Sequence, residues 1–134
     1  MLMYPVILEH AAAFIERSPW EVSRDADLLY RAHSAAWAYY RHAPVVCGID
    51  VYHLDVESWG AKVERPDGNT VPSLGPPVCS KLGELRKLPE LDVHRSGRLP
   101  LTLAAALRLK AAGADGIGRF TLSKVGQRLE RDPR

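Results

Sequence analysis

Apolar positions along the chain follow two different periods. Leu28, Leu29, Ala32, Ala35, Ala36, Tyr39 and Tyr40 recur at three- and four-residue spacing, which predicts a helix with a broad stripe facing a core. Asp25 can cap that helix, Arg41 and His42 suit its negative end, and Pro44 prevents its continuation. Leu99 to Ala112 predicts a second long helix, with Leu99, Leu103, Leu107 and the alanines on one face and Gly113 as a natural C-cap. Between the two lies Val45–Ile49, apolar on both faces and stopped abruptly by Asp50. That pattern predicts a central parallel strand whose C-terminal end opens into a site.

Shorter signals fill the intervals. Pro5 to Glu9 reads as a short buried strand, with Pro5 where a missing N–H is tolerated. His10 to Arg17, with three alanines, predicts a short helix, and the stretch SPWE at Ser18–Glu21 carries a capping box with proline at the first helical position. Val51 to Trp59 reads as a helical or irregular turn ending at Gly60. Around RPDGN, Ala61–Glu64 and Thr70–Val71 are expected to pair as a hairpin on the Asp67-Gly68 turn. The Pro- and Gly-rich stretch that follows predicts ordered loop with at most one helical turn, and Ile117–Phe120 a further strand.

Strands alternating with helices predict an α/β fold with parallel strands and both helices on one side of the sheet. Two or three such strands leave one sheet face uncovered. The expectation is therefore the N-terminal segment of a (β/α)8 barrel, a fold of roughly 250 residues when whole.

The segments YPVILEHAAAFI, VVCGIDVYHLDVESWGAKVERPDGNTVPSLGPPV, LRKLPELDVHRSGRLPLTLAAALRL and GIGRF together resemble the N-terminal portion of the uroporphyrinogen decarboxylase superfamily. That superfamily includes the haem-pathway decarboxylase and corrinoid-linked methyltransferases. The resemblance covers nearly all of residues 4–120, about the first third of a family barrel, and rests on order and spacing. It implies that residues 1–120 are a truncated barrel segment, with 121–134 a basic, poorly ordered tail. It also implies that Asp50 is the carboxylate that meets substrate, stabilising a protonated pyrrole in decarboxylation or orienting a methylated substrate in methyl transfer.

Two arginines just after the first strand hold substrate carboxylates in the decarboxylases; here His10 and Phe14 stand at those positions. Guanidinium forks are the groups best suited to a polycarboxylate, so the methyltransferase-like branches match better than tetrapyrrole decarboxylation. Those branches bind zinc through residues of later strands, so no cofactor is expected within this chain. Zinc or a corrinoid partner belongs to a complete relative. The other reading is a catalytically inactive relative, or an interaction module that self-associates through its open sheet.

Composition narrows the partners further. The 134 residues are 46% hydrophobic and 25% charged, which excludes a disordered or fibrous chain. A formal net charge of +2 is too small to imply nucleic acid, and the basic residues cluster at the end as a solvated tail. No apolar run reaches the ~18–20 residues that span a bilayer, and the first ten residues lack the basic region of a signal peptide. Cys47 and Cys79 belong to no Cys-x-x-Cys pair, so two reduced thiols in a cytoplasm are expected. The partners that remain are a small-molecule substrate and a second copy or a complementing chain.

Four residues carry the candidate chemistry. Asp50 is the expected catalytic carboxylate, with capping of the segment from Val51 as its structural alternative. His10, Tyr52 and His53 are the expected substrate-binding residues. His10 either donates a hydrogen bond at the same rim or simply begins a short helix. His53, Asp55 and Glu57 crowd one turn, but their spacing fits no standard metal pattern and reads as a solvated turn. His33 reads as structural and His94 as exposed. GADGIG at Gly113–Gly118 follows its helix instead of preceding one, so it is a turn and not a phosphate loop.

Overall fold

Ser18 and Glu21 cap each other's backbone. The Ser18 hydroxyl accepts from the Glu21 N–H at 3.3 Å, and the Glu21 carboxylate accepts from the Ser18 N–H at 3.0 Å. This capping box, with Pro19 in the first turn, starts α2, Pro19–Ser23. Asp25 does the same for α3, Ala26–Tyr40, its Oδ1 accepting from the N–H groups of Asp27 and Leu28 at 2.8 and 2.9 Å. Arg41 closes α3 in the left-handed region at φ 52°, and its N–H reaches the Trp37 carbonyl. Ahead of these lies the single-turn α1, His10–Ala13. The computed structural model describes residues 7–48, 53–68 and 70–114.

Beyond α3 come α4, Leu54–Ser58, and two short antiparallel strands, β1 at Val63–Glu64 and β2 at Ser73–Leu74. A 3-10 helix, Leu82–Lys87, and α5, Leu99–Ala111, complete the order. The last turn of α5 is sealed as its sequence predicts: Gly113 sits at φ 88°, and the Ala114 N–H donates to the Leu109 carbonyl at 3.1 Å.

The core forms where α3 and α5 meet, with α1 and α2 packed on α3. Ala32 and Ala36 of α3 and Ala105 and Ala106 of α5 belong to one buried cluster with Leu29, Leu109 and Val22. Small side chains let helix backbones approach closely, and the leucines fill the remaining space. A smaller cluster joins Leu54 of α4 to Val93 and Leu99.

The expected barrel segment is not what forms. The described residues are mostly helical, and their only sheet is the two-stranded antiparallel pair β1–β2, with no parallel strands. Val45, Val46 and Cys47 are buried as expected, yet Val46 makes only an isolated bridge. Val45 and Cys47 join the cluster built by α3 and α5, so helices and not neighbouring strands cover this apolar run. An apolar run of that length fixes burial without fixing what does the burying. Leu8 and Glu9, expected at the end of a first strand, form a turn that leads into α1. Ile49 and the expected strand at Ile117–Phe120 lie outside the described residues, as does the 121–134 tail.

The hairpin does form, but with Val63 opposite Leu74 and Glu64 opposite Ser73, so its second strand lies three residues beyond the expected one. The loop after it holds the 3-10 helix. There, Lys81 and Ser80 donate their N–H groups to Glu84, a cap the Pro/Gly reading did not resolve.

Candidate functional site

The segment that carries Asp50 is framed by two fixed points. At its near end stands Gly48, reached by His33 of α3. The His33 Nε2 lies 2.8 Å from the Gly48 carbonyl oxygen and 3.1 Å from the Gly48 amide nitrogen. One ring nitrogen serves one of these groups at a time, donating in one tautomer and accepting in the other. His33 is 1% exposed, and burial lowers its pKa from 6.5 to about 4, so the ring is neutral at physiological pH. Gly48 itself sits at φ 150°, a backbone shape that side-chain-bearing residues rarely adopt. The structural reading of His33 thus holds, and its task is to grip the backbone two residues before Asp50.

At the far end stands α4, with His53 at its N-cap. Asp55 and Glu57 follow in the first turn. Glu57 is no solvated residue. One carboxylate oxygen accepts from Nη1 of Arg24 and the other from Nε of Arg98. The Glu57 side chain is 15% exposed and that of Arg98 only 8%. Arg98 also donates from Nη1 to the Ser23 carbonyl at 3.2 Å. A carboxylate held by two guanidinium groups therefore ties α4 to the end of α2 and the start of α5. Gly97 permits the approach: a Cβ there would lie 2.9 Å from the Ser58 Cα, with φ at 51°.

Unpartnered polar atoms gather around the same helix. Among the described residues, buried side-chain nitrogens or oxygens without a hydrogen bond occur on Arg24 (Nε and Nη2), His42, His53 (Nδ1) and Asp55 (Oδ1). Four of those five atoms lie on α4's opening residues or on the arginine bound to Glu57. Buried polar groups are nearly always paired, so these atoms are the exceptions among the described residues. Burial also raises the Asp55 carboxyl above its usual range.

His10 is the exposed first residue of α1, and its Nε2 lies 2.9 Å from the Tyr40 hydroxyl. Phe14 meets His10 edge-on at 5.3 Å, with Tyr39 and Tyr40 at 5.5 and 5.6 Å, so the four side chains form one aromatic cluster. Asp50 and Tyr52 lie outside the described residues. Of the four predicted site residues, only His10 and His53 can be placed, and they stand on different helices.

Arg24, Arg98 and the anchoring role of Glu57 were missed in the sequence. Their partners are remote along the chain, and the one local hint was Gly97-Arg98 immediately before a helix. No cluster of three or more His, Cys, Asp or Glu residues that could hold a metal ion occurs among the described residues. The Cys47 thiol is buried and its pKa is pushed up to about 12. Among the described residues no helix is long and apolar enough to cross a membrane. Comparison of the chain with protein families, curated proteins and solved structures finds no match.

Proposed function

We propose that this chain binds a small methylated substrate, in the manner of the methyltransferase-like branches of the uroporphyrinogen decarboxylase superfamily. Asp50 orients the substrate, and Tyr52 and His53 flank it. The resemblance supports the superfamily. The observation that carries the choice of branch is the aromatic cluster of His10, Phe14, Tyr39 and Tyr40. Rings packed edge to face offer no guanidinium forks, so a substrate with many carboxylates has nothing to grip at those positions. His33 bonds the Gly48 backbone and Glu57 anchors α4, so the described residues on either side of this stretch are tied to the helical core. Turnover is assigned to an assembly in which a complementing chain supplies zinc ligands and a corrinoid. Two free thiols suit a reducing, cytoplasmic setting.

Calorimetric titration of the full chain with methanol, dimethylamine, a methoxylated benzoate and uroporphyrinogen tests this reading. Saturable binding of one methylated compound, weakened about tenfold or more in Asp50→Asn, is expected. Binding of uroporphyrinogen alone would move the assignment to the decarboxylase branch, and binding of none would remove it.

A second reading, a self-associating module, draws on one observation. Val71, Leu74, Val78, Leu82 and Leu85 are all exposed along a single stretch, Leu82 by 84%. Light scattering at rising concentration decides it: a constant monomer mass ends this reading.

A further inference from the structure

Arg24 presents an unused fork. Its guanidinium carbon lies 4.1 Å from the centre of the Trp20 ring, which covers one face, and Nη1 is committed to Glu57. The two nitrogens that remain, Nε and Nη2, are buried and have no hydrogen-bond partner. These two N–H groups point the same way along one edge of the guanidinium, and that edge matches the spacing of two oxygens on a carboxylate or phosphate. The side chain as a whole is 27% exposed, while Nε and Nη2 themselves are buried. Stacking on Trp20 and the ion pair with Glu57 fix the plane of the group, so the ordering entropy of a long flexible side chain is already spent before any ligand arrives.

We infer that the Nε/Nη2 edge of Arg24 is a binding site for a single oxyanion, a carboxylate or a phosphate, held side-on by two parallel hydrogen bonds. The site needs only the surroundings of Arg24. Identifying its oxyanion as part of the substrate rests on the function proposed above, and would make that substrate a methylated compound with one anionic group. A single fork is enough for one such group and too little for a tetrapyrrole with many.

Two-dimensional ¹H–¹⁵N spectra that resolve arginine Nε–H resonances test the inference on the full chain. Acetate and inorganic phosphate are titrated separately, at constant ionic strength maintained with chloride. The expected result is a saturable shift of the Arg24 Nε–H by acetate, phosphate or both, with no comparable shift from chloride. Whichever arm responds identifies the oxyanion. Arg24→Lys keeps the charge and loses the fork, and should weaken binding at least tenfold while the backbone spectrum stays folded. Should that variant unfold, the titration of the unaltered chain alone decides. An Arg24 signal that fails to move, or moves equally with chloride, overturns the site, and so does a lysine variant that binds as tightly. Methylated-compound binding is read in its own titration, so either proposal can fail without the other.

Discussion

At the scale of single residues, His33 makes the most distinct prediction. Its pKa falls from 6.5 to about 4 on folding because burial disfavours the charged ring. The folded chain therefore binds fewer protons than the unfolded one across that interval, and stability must fall as pH drops from about 6.5 towards 4. The full loss is roughly 3 kcal/mol. His42, whose pKa is also lowered by burial, acts in the same sense. Asp55, raised by burial, acts in the opposite sense once it begins to protonate. Urea unfolding at pH 7 and pH 4.5 should show the decline. In His33→Gln, which can still bond Gly48 but does not titrate, most of the decline should vanish; an unchanged slope would show that other groups set it.

The residue scale is also where sequence and structure part most clearly. Ser18, Asp25 and Gly113 act where local chemistry puts them, because a cap bonds to backbone within three or four residues. Glu57 looked solvated because its neighbours along the chain are polar. What desolvates it is Arg24 and Arg98, and no local pattern announces such distant partners.

At the scale of elements, α4 depends on that carboxylate. Removing the carboxylate leaves the largely buried charges of Arg24 and Arg98 without their counter-ion, so Glu57→Ala should cost about 3–5 kcal/mol, far more than an exposed glutamate would. Thermal unfolding measures this directly, and a loss below about 1 kcal/mol would mean that the two arginines find other partners without strain. Gly97→Ala tests the same junction from the other side. Its new Cβ would meet the Ser58 backbone while the residue keeps a positive φ, at a cost of ~2 kcal/mol or more. The strand expected at Val45–Ile49 failed at this scale for a general reason. A run that is apolar on both faces is equally satisfied between helices, and here α3 and α5 supply the cover.

At the scale of the whole molecule, the two long helices were legible because a pattern sustained over 13 or 15 residues leaves little alternative. Their buried faces were legible only in part: Tyr39, Tyr40 and Leu107 of the expected stripes are exposed, and Leu109 is buried in place of Leu107. The layer arrangement was not. Reading two apolar runs as parallel strands required partners that the sequence does not name, and the described residues instead pack helix on helix, with a hairpin set apart. The hairpin and 3-10 helix contribute no residue to either core cluster. Leu82→Ser should accordingly change stability by less than about 0.5 kcal/mol. A larger loss in thermal unfolding would show that this stretch supports the fold.

The ligand site proposed above lies between Gly48, bonded by His33, and α4, anchored by Glu57. Backbone amide shifts recorded while the full chain is titrated with the methylated compound that binds it test this most directly. The account predicts perturbations concentrated at residues 48–58, with little change across residues 63–88. Perturbations centred on the hairpin and the 3-10 helix, with 48–58 unmoved, would contradict it.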